Sequence, residues 1–367
     1  MPGAKPGRGI LHEVPLTSLP SEHLLHVHRE STTNDLPMQP PAPQTVDASS
    51  TAGTYPDAAP KSASPRPAKS VGLLTRWKFG IVRAFLWAWA RTFSLKGLYL
   101  FGRFFGTIEY TINFNRRRRY RRELARVFPD GLSGARQKKI ILNYFRRTRC
   151  DKLLYLIFDR LPREKILRRI KFHGRRHLDA ALACGSGVSV LLSHHGSHHV
   201  AALLMALLGY KCAGVRDRNE GALRLFVQQK YAETFPEFAD VRVLYADSFP
   251  REIFRCFREN RVVGSALDVN RDRGGNLKTR PVRIFGESRA FLSGPLQIPI
   301  RCGAVIVQGF VVSRPNFYFR LIVTPPLFDP AAESTAESGA QIDEIMQKYA
   351  NGIEAHVREH PDHLSRI

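Results

Sequence analysis

The sequence has little of several things, and each scarcity narrows what it can be. Its 367 residues hold five cysteines, Cys150, Cys184, Cys212, Cys256 and Cys302, with no C-x-x-C spacing. An odd, scattered set excludes a disulfide scaffold and a zinc ribbon, and it fits a reducing compartment. Acids are scarce: 32 against 56 lysines and arginines, a net charge of +24. That imbalance points to an anionic partner, whether nucleic acid, a membrane surface or an acidic protein. No internal repeat is found, and residues 1–70 show no basic start followed by an apolar stretch, so no secretory signal is expected there. With 43% hydrophobic and 24% charged residues, a wholly disordered chain, a polytopic transporter and a collagen-like rod are excluded.

Charge and proline are unevenly placed. Residues 1–70 carry six basic and six acidic residues, 12 of the 24 prolines and one aromatic, Tyr55. Such a segment buries too little apolar area to offset its chain entropy and is expected to be disordered. Residues 115–176 hold 22 lysines and arginines against five acids, a net of +17. Apolar residues interleave at helical spacing (Ile140, Tyr144 and Phe145, then Leu153, Leu154, Ile157 and Phe158), which predicts amphipathic basic helices.

Between them, residues 71–114 are rich in Phe, Trp and Leu, with Arg76, Arg83, Arg91, Lys96 and Arg103 interspersed. Their uncharged runs are shorter than the ~20 residues of a spanning helix. Arg76, Arg83 and Arg91 fall on one side of a helix, which suits a membrane-interface segment with arginines reaching phosphates. A helix packed on the globular domain and a tilted single span with snorkelling arginines are the alternatives.

From about Lys171 strand and helix signals alternate. Strands are predicted over Gly187–Ser193, Lys211–Val215, Val241–Tyr245, Val262–Leu267 and Val282–Ile284, and over an antiparallel pair, Ala304–Val312 and Tyr318–Thr324. Helices are predicted over His198–Leu208, Gly221–Thr234, Arg251–Glu259, Leu292–Arg301 and Gln341–Glu359. This order implies an α/β fold, a mixed, mostly parallel sheet covered by helices.

The most unusual motif is Ser193-His194-His195-Gly196-Ser197-His198-His199, placed between a buried strand and a helix. Ligands bind at such carboxyl-end turns of open α/β sheets. Three readings stay open: a metal site, surface histidines capping a helix, and a catalytic base whose pKa suits proton transfer near neutrality.

From about Ser94 onward the sequence resembles the lysophospholipid acyltransferases of the lipid A biosynthesis (lauroyl/myristoyl) type. Arg116–Phe128-Pro129-Asp130 resembles the family's Arg-rich entry. His194-His195-Gly196-Ser197-His198-His199 falls where the family has His, an aromatic, Gly, Asn, Trp and an acid. Gly214–Asn219, Arg261–Asp268, Ile284-Phe285-Gly286, Gly303–Val307 and Tyr318–Pro326 resemble later blocks in order. The resemblance implies a glycerolipid acyltransferase-like fold. It also implies transfer of a fatty acyl group from a thioester, on acyl carrier protein or coenzyme A, to a hydroxyl of a membrane lipid or glycolipid such as a lipid A precursor. The place of action would be the cytoplasmic face of the inner membrane.

On that resemblance His194 takes the base position, His199 the acid position and Asp268 a family Asp. Arg216, Asn219 and Lys230 become substrate-binding candidates, with Lys230 where the family has Arg. No metal, cofactor or nucleic-acid partner is implied. The departure at His199 leaves three alternatives. Asp268 or Asp217 replaces the orienting acid, the histidines act on a different acceptor, or the protein binds lipid or a partner at the membrane without the chemistry. The expected division is a tail (1–70), membrane-interface helices (71–114) and an acyltransferase-like domain (115–367) that begins with the basic helices of 115–176.

Overall fold

The computed structural model describes residues 72–365 apart from 217–219, 246–250, 269–277 and 333–338. The expected tail, Asp217 and Asn219 lie outside the described residues.

Four helices come first: α1 (Leu73–Thr92), α2 (Ser94–Ile112), α3 (Phe114–Val127) and α4 (Gly134–Ile157). Asn113 and Ser133 cap α3 and α4, each side-chain oxygen accepting from a backbone N–H three residues on, which satisfies donors that helix starts leave free. Helix α3 buries Tyr120, Leu124 and Val127 along one stripe and leaves Arg118, Arg121 and Arg122 exposed, as an amphipathic helix must. Helices α2 and α4 touch closely because Gly102 and Gly106 face α4. A Cβ there would stand 2.9 Å from Cys150 Sγ and 2.5 Å from the Arg146 Cα.

Helix α1 corrects one expectation. Arg83 does not reach outward with Arg76 and Arg91; it is 3% exposed. Its guanidinium grips Asp159 in a fork of 2.6 and 3.1 Å and donates to the Leu156 carbonyl at 2.7 Å. A buried arginine needs this planar pairing. Among the described residues no helix is long and apolar enough to cross a membrane, so the tilted-span alternative is not met there. The outward faces of α1 and α2 are nevertheless apolar: Leu73, Trp77, Ile81, Phe85, Phe104 and Ile112 are all exposed.

The α/β part follows as α5 (Arg163–Leu167), β1 (Ile170–His173), α6 (Arg175–Ala183), β2 (Val188–Leu192), α7 (Ala201–Leu207), β3 (Cys212–Arg216), α8 (Ala222–Thr234), α9 (Pro236–Ala239), β4 (Arg242–Tyr245), α10 (Arg251–Arg258) and β5 (Val262–Ala266). A hairpin of β6 (Thr279–Ile284) and β7 (Glu287–Leu292) leads to α11 (Gly294–Arg301), β8 (Val305–Arg314), β9 (Tyr318–Phe328) and α12 (Gly339–Glu359). The seven-stranded sheet has the order β1-β9-β8-β2-β5-β3-β4. Strands β8, β2, β5, β3 and β4 are parallel; β9 runs antiparallel on β8, and β1 pairs parallel with β9. The predicted strands and helices fall on these elements. Strands β1 and β7 were not anticipated; β1 is an edge strand of four residues inside the basic stretch, half of them exposed, and β7 ends on Leu292, where a helix was expected to begin.

Helix α12 covers one face of the sheet with Ile345, Met346, Tyr349 and Ile353, all essentially inaccessible. The other face is covered by α7 and α8, with α1, α2 and α4 packed beyond them. Strand β2 is central, with neighbours on both sides, so the turn that follows it is framed by β5 and β8.

Candidate active site

Strands β2 and β5 lie side by side, parallel, with Val188 opposite Val262 and Leu192 opposite Ala266. Carried two residues further, that register sets His194 opposite Asp268. The contact is made twice. His194 N–H donates to Asp268 Oδ2 at 2.8 Å, and its ring Nδ1 lies 2.9 Å from Oδ1. Asp268 accepts, so Nδ1 carries the proton and Nε2 keeps its lone pair. The His194 side chain is 41% exposed while that of Asp268 is 7% exposed. Burial pushes the Asp268 carboxyl up, but the hydrogen bond and charge of His194 outweigh it and hold the carboxyl below its ordinary value. The carboxylate is thus ionised at neutral pH and accepts from both the main chain and the ring of His194.

A residue the sequence reading missed completes this side. Tyr349 of α12 is fully buried, and its hydroxyl lies 2.8 Å from the Leu192 carbonyl and 3.2 Å from Asp268 Oδ1. Burial, then the Asp268 charge, raises its pKa far above normal, so the hydroxyl remains a donor. Its position within the apolar stripe of α12 reads as ordinary core.

The other histidines of the turn behave differently. His195 is 3% exposed, and its Nδ1 accepts from Ser365 N–H at 3.0 Å. Burial lowers its pKa to about 4. His198 lies edge-on to His194 with ring centroids 5.1 Å apart, and His199 lies 6.0 Å beyond His198. Burial lowers His199 to about 4, with Asp151 the principal opposing charge; its ring meets Tyr155 edge to face at 5.2 Å. His199 is therefore a neutral, aromatic-packed side chain on the far side of His198. The carboxylate against His194 is that of Asp268.

Between these rings the turn is pinned by a second buried carboxylate, also absent from the sequence reading. Gly196 adopts φ +74°, and a Cβ there would stand 2.6 Å from the Val311 carbonyl. Its N–H donates to the His363 carbonyl at 2.9 Å, and Ser197 N–H donates to Val311 at 2.9 Å. The Ser197 and Ser313 hydroxyls each donate to Asp151 Oδ2 at 2.8 Å, and Arg147 pairs with the same oxygen at 2.9 Å.

The substrate-binding candidates separate. Arg216, at the end of β3, is bonded to Gln228 of α8. Lys230 lies on another side of α8, partly exposed and paired with Glu233, and it is not brought to His194. Arg224 is the α8 cation whose charge acts on both His198 and His199; it shares the Gln228 face, four residues away. It pairs with Glu220 at 3.4 Å, and among the described residues its Nε has no hydrogen-bond partner. Asn219 lies outside the described residues. No group of three or more His, Cys, Asp or Glu among the described residues is arranged to hold a metal ion. A narrow apolar cleft runs between α7 and the sheet, lined by Leu192, Ala201, Met205, Gly264, Gly309 and Leu321.

A strand-end histidine backed by a buried aspartate, near an apolar cleft, is an arrangement that can take up a proton beside an apolar surface. The family described as bacterial lipid A biosynthesis acyltransferase matches residues 65–364. The chain belongs to this family. No curated protein matches the sequence. Membership in the lipid A acyltransferase family supports an acyltransferase-type function in lipid metabolism, and the mixed, mostly parallel sheet wrapped by helices is consistent with an acyltransferase-like fold. Membership is also consistent with association with a membrane.

Proposed function

We propose that the protein transfers a fatty acyl group from a thioester, on acyl carrier protein or coenzyme A, to a hydroxyl of a membrane lipid or glycolipid such as a lipid A precursor. The observation that carries this reading is the His194–Asp268 pair at 2.9 Å. His194 Nε2 takes the proton of the acceptor hydroxyl as its oxygen attacks the thioester carbonyl. Asp268 holds the ring in the required tautomer and stabilises the imidazolium. The tetrahedral intermediate collapses with loss of the thiolate, which recovers the proton from Nε2. No covalent enzyme intermediate and no cofactor enter. Arg216 and Arg224 provide positive charge beside the turn for the substrate, and the cleft under α7 receives the acyl chain.

The protein works at the cytoplasmic face of the inner membrane. The exposed apolar faces of α1 and α2 rest in the interface. The arginines of α3 meet anionic headgroups or the acidic carrier protein. A binding-only role at the membrane is the other reading; Asp268 in the orienting position favours catalysis over it.

The test uses purified full-length protein with an acyl thioester and a lipid acceptor in mixed micelles. His194→Ala is expected to lower transfer by roughly 10²–10⁴-fold. Equal activity in wild type and His194→Ala removes His194 as the base, and no transfer by the wild type with either donor leaves the binding role.

A further inference from the structure

A second pocket lies behind the histidine turn, between α2, α4, the end of β8 and the C-terminal residues, and spans about 710 Å³ including its open mouth. Its lining contains four arginines and two aspartates. Arg147 and Asp151 neutralise each other at 2.9 Å, and Asp362 lies 3.8 Å from Arg147. Arg103, Arg146 and Arg314 remain, and none of the three has a carboxylate partner among the described residues. Arg146 spends its Nε on the Thr107 hydroxyl at 2.9 Å. Burial and then the nearby charge of Arg103 hold its guanidinium below the usual value.

The pocket wall adds a buried imidazole. His363 is 2% exposed; its ring lies toward the Ser313 backbone, and among the described residues no side chain pairs with it. Three guanidiniums without a carboxylate partner around one cavity, with a buried imidazole in its wall, are a receptor for a compact, multiply charged oxyanion.

We propose that this pocket binds a phosphate monoester, held by Arg103, Arg146 and Arg314 with His363 as a further partner. The source is the headgroup of a membrane lipid. Arg103 is followed by the exposed Phe104, and helix α2 turns its exposed Leu100, Phe104 and Ile108 outward, so one helix meets both the charged head and the apolar layer. The assignment rests on the acyltransferase reading only for why such a lipid would be present. The pocket is tied to the histidine turn through Gly196 N–H to the His363 carbonyl and through Ser197 to Asp151. A bound headgroup is thereby registered against His194.

Binding is read by calorimetry on the full chain in detergent, with dihexanoyl phosphatidic acid, coenzyme A and inorganic phosphate as probes. The phosphatidic acid is expected to bind wild type and His194→Ala alike, so loss of catalysis and loss of this site are separable. Arg146→Gln and Arg314→Ala should each weaken it by about 10-fold. The Arg314 side chain is exposed and makes no described contact, so its removal does not threaten the fold. Arg255→Ala, on exposed α10, should change nothing and controls for net charge. Equal affinity in Arg314→Ala, Arg146→Gln and Arg255→Ala overturns the proposal. Coenzyme A or free phosphate binding in an Arg146-dependent way while phosphatidic acid does not overturns the lipid source.

Discussion

Two buried carboxylates grip the histidine turn from opposite sides, and they do different work. Asp268 and Asp151 are each 7% exposed at the side chain. Asp268 faces an imidazole that is partly open to solvent and can exchange a proton. Asp151 faces a guanidinium and two hydroxyls, Arg147, Ser197 and Ser313, none of which titrates near neutrality. The first network can move a proton; the second can only hold a shape. Burial of an acid therefore says little about its role until the partner's chemistry is known.

The sharpest way to break the comparison is to neutralise each acid in turn. Asp268→Asn should lower kcat by on the order of 10⁴-fold, with little change in unfolding midpoint, since the amide oxygen still accepts from His194 N–H. Steady-state acyl transfer and a urea melt on the same sample decide it. Asp151→Ala should do the reverse to the fold. It removes the acceptor shared by Arg147 and the Ser197 and Ser313 hydroxyls and should cost about 3 kcal/mol of stability, with the pH–rate profile unmoved. A displaced profile with an unchanged melt would exchange the two roles.

A third test uses acid. His195 titrates near 6.5 when unfolded and about 4 when folded, because burial disfavours its charge. Between those values the unfolded chain binds more protons, so stability falls as pH drops from 6.5 towards 4, with roughly 3 kcal/mol from His195 and a contribution of the same sign from His199. Urea melts across that window should show the slope, and His195→Gln should reduce it without abolishing it. Asp268 contributes with the opposite group type. Its lowered pKa adds stability that is present at neutral pH and is lost only below about 3.8. The smallest effect expected is that of Ser313→Ala, about 1 kcal/mol, because Ser197 and Arg147 still satisfy Asp151; an isothermal denaturation series measures it.

Much of the sheet was legible in the sequence because its central strands are buried on both faces and appear as short apolar runs between glycines. The partner of His194 was not. The sequence left Asp268 and Asp217 as equal stand-ins for the acid, and what separates the described one is the β2–β5 register, which no run of residues encodes. Asp217 lies outside the described residues. Helical phase put Arg83 with Arg76 and Arg91 on one side of α1, but phase does not say which residues meet protein, and of the three only Arg83 is buried. That depended on Asp159, 76 residues away. Tyr349 and Arg224 were hidden for the same reason: a polar tip on an apolar stripe and a cation among cations carry no local mark.

The register of β2 on β5 has a consequence for how such a protein can change. His194 and Asp268 are 74 residues apart, yet their spacing is indexed by main-chain hydrogen bonds between two neighbouring strands. The chain between them, with β3, β4 and their helices, is free to lengthen, shorten or be exchanged while the two strands stay paired. A slip of one residue would turn Asp268 to the opposite face of the sheet. His194 and Asp268 are held together as a strand pairing, and the segments around them can vary without retuning either.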